Sequence, residues 1–206
     1  MKFFLYLLLQ IISAPLWLSF LLLSLVFDKN SLVASFSQFL SLFPGKTGSF
    51  LRLANYRFLL KHSHYNAFVG FGTLFSQHNT QLGAGIYIGP QCNIGSCKIA
   101  DDTILGSGVH ILSGKAQHGD IRPGVTFRDV KGEYQQIEIG NNCWIGNGAL
   151  VMANVGNNSV VGAGSVVTSD VPAFSLVAGN PAKILKTFNQ DSPEQARDLA
   201  PSLTLQ

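Results

Sequence analysis

The chain has 206 residues, 47% of them apolar and only 12% charged, with 21 glycines and 15 phenylalanines. A charged fraction so far below the ~25% of ordinary soluble domains argues against intrinsic disorder and against a long solvated helix. Three cysteines are too few for a disulfide scaffold. The net charge of +3 conceals a division, because residues 1–67 carry six basic side chains against Asp28 alone, while the rest carries eight basic and ten acidic ones. The basic excess thus accompanies the end that holds nine of the phenylalanines, a pairing that suits an anionic membrane surface. No basic stripe interleaved with aromatics continues into the body, so nucleic acid is not an expected partner.

Phe3 to Phe27 is free of charge and broken only by Gln10, a few serines and Pro15. As one helix it would extend ~37 Å, enough to cross the ~30 Å hydrocarbon layer with tilt. Pro15 removes a backbone hydrogen bond near the middle and favours a kink, which leaves a re-entrant hairpin open. A cleaved signal peptide fits less well, since the run is long and no small-residue cleavage site follows it. A second apolar segment, Leu32 to Phe43, ends at Pro44-Gly45. After it, Leu51, Leu53, Tyr56 and Leu60 interleave with Arg52, Arg57 and Lys61 at helical spacing. That reads as a basic amphipathic helix on lipid headgroups, or as a helix capping the end of the core. Residues 1–65 are therefore expected to be a membrane anchor with this helix. The basic residues after Phe27 place the body on the cytoplasmic side of a bacterial inner membrane.

From Val69 onward a large apolar residue recurs every four to seven positions, most often six: Val69, Phe75, Leu82, Ile88, Ile94, Ile99, Leu105 and Ile111, then after a gap of 28 Ile139, Ile145, Val151, Val155, Val161 and Val167. Neither a helix nor a simple strand has a six-residue period, whereas a parallel β-helix does. Three hexads close one triangular coil, so these fourteen rungs predict fewer than five coils. The position four later should also face inward, and it is small: Cys92, Val109, Cys143, Ala149, Ser159 and Ser165. The cysteines are expected to be core residues.

Residues 139–186, from Ile139-Gly140-Asn141-Asn142 to Ala182-Lys183-Ile184-Leu185-Lys186, resemble the C-terminal part of hexapeptide-repeat acyltransferases. The similarity is to the sugar O-acetyltransferase branch related to galactoside and maltose acetyltransferases, some of them membrane-attached and linked to cell-surface polysaccharides. It implies an all-β, left-handed parallel β-helix over residues 66–187, a tail at 188–206, and a homotrimer binding acetyl-CoA between subunits, with no metal. The activity implied is acetyl transfer to a hydroxyl of a sugar in a polysaccharide or glycolipid precursor. The Phe-rich end suggests an acceptor in or near the lipid.

The repeat pauses for an excursion over residues 112–136, which carries Lys115, His118, Asp120, Arg122, Arg128, Asp129, Lys131 and Glu133. A long polar loop on a rigid coil is an expected place for a site. Direct transfer from a thioester needs a base for the hydroxyl proton and donors for the oxyanion. The resemblance makes His118 that base, although the approach to it is about two residues longer than in the family and lacks its His-Pro sequence. His110, at the end of a hexad, is expected to face the same groove as a substrate contact or second base. His78 is expected at a corner of an early coil. The resemblance further implies that Asn147 touches the thioester arm, Ala163 the pantetheine, Thr168 and Ser169 the next stretch, and Lys183 and Lys186 the phosphates. The family usually has lysine where Ser169 stands. Two other readings use the same prism: a trimeric membrane-surface scaffold without catalysis, and a zinc enzyme of the γ-carbonic-anhydrase kind. The latter wants a closer histidine pair than His110 and His118.

Overall fold

The computed structural model describes residues 2–117, 124, 126, 129–130 and 132–188. Four helices come first: α1 (Lys2–Ile12), α2 (Ala14–Leu23), α3 (Lys29–Ser41) and α4 (Gly45–Leu59). Short strands follow: β1 (His62–Ser63), β2 (Phe68–Val69), β3 (Leu74–Phe75), β4 (Gln81–Leu82), β5 (Tyr87–Ile88), β6 (Asn93–Ile94), β7 (Cys97–Ile99), β8 (Ile104–Leu105) and β9 (His110–Ile111). After the excursion come β10 (Ile137–Ile139), β11 (Trp144–Ile145), β12 (Leu150–Val151), β13 (Val160–Val161), β14 (Val166–Val167), β15 (Ser175–Gly179) and β16 (Ala182–Thr187).

The strands stack into three parallel sheets, the walls of a prism. Wall A is β1-β4-β7-β10, continued by single bridges at Val155 and Val171. Wall B is β2-β5-β8-β11-β13-β15, with β16 antiparallel at its top, and wall C is β3-β6-β9-β12-β14. Walls A and B thus have six rungs and wall C five, so the coil is nearly six turns long. The expectation of fewer than five turns falls short at both ends. Ser63 supplies a first rung without a large apolar residue, and Val171 and Val177 supply last rungs beyond the regular hexads.

Burial alternates in the two-residue strands, with the second residue inward, as the hexad spacing requires. All fourteen recurring apolar residues are buried, as are the six small residues at the second inward position. The corners are held by side-chain amides and carboxylates that accept from a backbone N–H of the adjoining coil. Asn141 Oδ1 accepts from Asp101 N, Asn157 Oδ1 from Asn141 N, and Asp170 Oδ1 from Asn154 N, at 3.1, 2.8 and 2.9 Å. A corner N–H that the parallel ladder leaves free is satisfied this way.

The first coil would expose a row of unpaired backbone groups, and the helices cover it. Val69 N donates to Ser49 Oγ (3.1 Å), Phe75 N to Ser37 Oγ (2.7 Å) and His78 N to Asn30 Oδ1 (2.9 Å). Asp28 caps the N-terminus of α3 by accepting from Ser31 N at 2.7 Å. Helix α4 takes the capping role. Arg52, Leu53, Ala54, Asn55, Tyr56 and Leu59 are buried, and the Tyr56 ring meets Phe75 edge-on at 4.8 Å. Arg52, counted in the sequence among the side chains of a basic face, is instead enclosed beneath the coil, while Arg57 and Lys61 are exposed.

Helices α1 and α2 are bent by 60° at the break around Ser13, one residue ahead of the chain's first proline-containing turn at Ala14-Pro15. Both lie against α4. Trp17 stacks on Phe58 at 4.1 Å, Asn55 Nδ2 donates to Ser13 Oγ at 3.1 Å, and Gln10 Nε2 reaches the Ala54 carbonyl at 3.5 Å. No single described helix is long and apolar enough to cross a membrane.

Candidate active site on wall C

Wall C carries the candidate site. Its outward residues form a column in register, Leu74, Asn93, His110, Leu150 and Val166. The lower part of this column, from Leu74 to His110, floors a groove of about 410 Å³. Helix α3 forms one side through Ala34 and Gln38, and the start of the excursion forms another through Ser113 and Gln117, with Tyr134 closing over. The described lining holds carboxamides, hydroxyls, one imidazole and aliphatic surface, and no formal charge other than what His110 can take up.

His110 is half-buried, and its Nδ1 lies 3.2 Å from Nδ2 of Asn93, the residue directly below it. With the amide donating, Nδ1 is an acceptor and the proton of the neutral ring sits on Nε2. His110 lines this groove. His118 lies outside the described residues, together with Asp120, Arg122, Arg128 and Lys131. His78 is a structural residue: its Nδ1 is 2.7 Å from the Leu59 carbonyl, which ties the end of α4 to the coil.

The coenzyme-binding residues implied by the resemblance fall on the two edges of the upper part of wall C. Asn147 and Ala163 occupy the same B-to-C corner on successive coils, linked by Gly164 N donating to Asn147 O at 2.8 Å. Asn147 also has a corner duty, since its Oδ1 accepts from Ser107 N at 3.0 Å. Only its Nδ2 donors remain for a ligand. Thr168 and Ser169 follow β14 on the C-to-A corner. Lys183 pairs with Ala178 in the β15–β16 hairpin, and Ala178 packs over Gly162, so Lys183 tops the column that contains Ala163. Lys186 pairs with Leu176, farther along wall B, with its ammonium 5.5 Å from the Phe188 ring. The two lysines are thus not equivalent.

The B-to-C corner has a feature that was missed in the sequence. Gly108, Gly148 and Gly164 take φ of +66°, +67° and +67° on three successive coils, and a Cβ at each would meet nothing within 4 Å. The A-to-B corner has the same left-handed backbone at Asp102, Asn142, Asn158 and Phe174, where side chains are carried. Conformation alone therefore does not require three glycines here. Their effect is a bare ledge beside wall C.

Cys92, Cys97 and Cys143 are buried in the prism, where burial pushes all three thiols up. Among the described residues no group of three His, Cys, Asp or Glu side chains is placed to hold a metal ion.

The fold, a left-handed parallel β-helix of hexapeptide repeats, is one seen in solved acetyltransferases. A galactoside acetyltransferase in complex with coenzyme A is 23% identical, with a TM-score of 0.64 over 80% of this chain and 84% of that one. A hexapeptide-repeat containing acetyltransferase from Vibrio cholerae is 23% identical, with a TM-score of 0.65 over 80% of this chain and 95% of that one. A maltose O-acetyltransferase from Clostridium difficile is 20% identical, with a TM-score of 0.60 over 80% and 90%. Residues 136–169 match the family described as bacterial transferase hexapeptide (six repeats). No curated protein matches the sequence.

Proposed function

We propose that this protein is an acetyl-CoA-dependent O-acetyltransferase that works at a membrane on a sugar hydroxyl of a polysaccharide or glycolipid precursor. The observation that carries the reading is the shared wall: the polar, uncharged groove with His110 lies on wall C, whose B-to-C edge is the glycine ledge with Asn147 and Ala163 and whose opposite edge holds Thr168 and Ser169. An extended pantetheine arm fits against a corner where glycine replaces a side chain on three successive coils, and Lys183 stands at its top for phosphate. Rungs ~4.8 Å apart put donor and acceptor ends within one or two strands of each other. Support also comes from the likeness to the galactoside acetyltransferase bound to coenzyme A.

In this reading coenzyme A supplies the acetyl group as a thioester. His118 is the general base: it takes the hydroxyl proton as that oxygen attacks the thioester carbonyl, the C–O bond forms, the C–S bond breaks, and the proton passes to the departing sulfur. His110, held by Asn93, presents Nε2–H to an acceptor oxygen. A homotrimer closes the groove with a second subunit. The outward column of wall B, with Tyr87, Ile104 and Trp144 exposed, offers apolar surface for that contact. The catalytic part lies on the cytoplasmic side of a bacterial inner membrane.

Calorimetry of acetyl-CoA binding to the detergent-solubilised full chain tests the reading. Micromolar binding that weakens in Lys183→Ala/Lys186→Ala supports it. A folded protein that binds no acetyl-CoA at millimolar concentration overturns it and leaves the non-catalytic scaffold.

A further inference from the structure

The first two helices expose apolar side chains on the face where a helix packed on a water-soluble core would carry polar ones. On α1 the exposed residues are Phe3, Phe4, Leu7, Leu8, Ile11 and Ile12, one continuous stripe at helical spacing. The inward side carries Tyr6, Gln10 and, at the break, Ser13. On α2 and the turn after it, Leu18, Leu22, Leu25, Val26 and Phe27 face outward while Phe20 is buried. Leu25 and Val26 are 80% and 81% exposed. Water would favour the opposite arrangement.

The serine hydroxyls and the indole N–H of the segment find carbonyl partners within it. Ser13, Ser19 and Ser24 donate their hydroxyls to carbonyls of Leu9, Leu16 and Leu21 at 2.7, 2.6 and 2.8 Å. Trp17 Nε1 donates to the Gln10 carbonyl at 3.0 Å, near the break where a helical partner is lost. Hydrocarbon demands this internal pairing and water does not. Exposed Lys2 and Lys29 stand at the two ends of the segment, with Lys46, Arg57 and Lys61 also exposed on the helical layer.

Length decides between spanning and dipping. Helices of 11 and 10 residues are each about 15–16 Å long, close to half of a ~30 Å hydrocarbon layer. The bend of 60° is tied to α4 by Ser13, Gln10 and Trp17, so straightening the pair into one span would break those contacts. We propose that α1 and α2 seat the protein in a single leaflet of an anionic bilayer, as a bent apolar wedge that enters and leaves on the same side. The inference rests on the membrane association proposed above and gives it a topology. Helix α3 starts six residues after α2 ends, and Gln38 in the groove wall is about 14 Å along α3 from Lys29. A glycan still attached to its lipid can therefore reach the groove.

Single-cysteine labelling tests this, because the three native cysteines are buried. Full-length Lys2→Cys, Lys29→Cys, Leu22→Cys and Lys98→Cys are bound from outside to sealed vesicles of phosphatidylethanolamine and phosphatidylglycerol, then treated with a membrane-impermeant maleimide. The expected result is that Lys2→Cys and Lys29→Cys label like Lys98→Cys on the coil, while labelling of Leu22→Cys slows about tenfold or more. Protection of Lys2→Cys with Lys29→Cys open would mean a span and overturn the proposal. Leu22→Cys labelling equally with and without vesicles would also overturn it, pointing to another cover such as a second copy. Acetyl-CoA binding by the same variants is read separately, so loss of the enzyme reading would leave the labelling pattern intact.

Discussion

Arg52 and Val69 are joined twice: Nε and Nη2 of the buried guanidinium both donate to the Val69 carbonyl, at 3.1 and 2.9 Å. The third nitrogen, Nη1, donates to the carbonyls of Leu40 (3.3 Å) and Phe43 at the C-terminal end of α3. That helix end bears partial negative charge, which favours a cation there. One side chain thus fastens the first coil to the helix that walls the groove. Burial lowers the guanidinium pKa from its usual value, but the group stays charged at any working pH. Arg52→Lys cannot make the planar fork and leaves buried carbonyls without donors. We expect it to cost on the order of 2–4 kcal/mol in urea unfolding of the solubilised protein. A loss below about 0.5 kcal/mol would mean the contacts matter little.

The glycine ledge can be filled without straining the chain. Gly148→Asn keeps a backbone conformation that Asn142 and Asn158 adopt one corner away, at φ of +51° and +55°. Thermal unfolding should change by less than about 1 kcal/mol. Acetyl-CoA affinity should fall about tenfold or more, because the new side chain occupies the wall of the proposed arm site. Unaltered affinity would move the coenzyme elsewhere.

The two lysines of β16 should separate in the same calorimetry. Lys183 tops the corner column and Lys186 leans toward Phe188 on wall B. Lys183→Ala is expected to weaken acetyl-CoA about three- to tenfold, and Lys186→Ala less than that.

The histidines should divide by kinetic parameter. With a sugar acceptor in hand, His118→Ala should lower kcat by about 10²–10⁴ with binding of acetyl-CoA kept. Asn93→Ala frees the His110 ring to rotate or change tautomer, so its main effect should be a rise in acceptor KM. Equal effects of Asn93→Ala on an enzyme already carrying His110→Gln would show that Asn93 acts on its own.

Stability should decline in alkali. Tyr56 is buried, and burial pushes its phenol up to about 12 from 10. The folded state therefore holds the proton more tightly than the unfolded one. Stability is complete below pH ~10 and is lost as the pH rises toward about 12, by on the order of 2 kcal/mol. The raised cysteine thiols act with the same sign from about pH 9. Tyr56→Phe should flatten the upper part of this decline, at the loss of one hydrogen bond between the Tyr56 and Ser37 hydroxyls. A slope identical to that of the native protein would place the titrating group elsewhere.

The coil was legible because its inward residues repeat at a fixed interval whatever surrounds them, and Val69 through Val167 all occupy the prism as the spacing implied. Its ends were not, since Ser63 and Val171 belong to rungs whose neighbours are a helix and a hairpin rather than another hexad. The break before Pro15 could be read from the missing N–H. The burial of Arg52 could not, because an arginine at helical spacing looks the same whether it meets water or three carbonyls. His110 was placed on the groove by its position in a hexad. Asn93, Gln38 and Tyr134 were not, as they come from a strand, a helix and a loop brought together only by the winding of the chain.

The helical layer satisfies backbone groups of the first coil at one end, and the antiparallel β16 covers the last strand of wall B at the other, so the prism has a lid at each end. Whole turns can be gained or deleted between the two lids without redesigning either. The height of the tower is then a free parameter for evolution, and with it how far the upper turns stand from the helical layer.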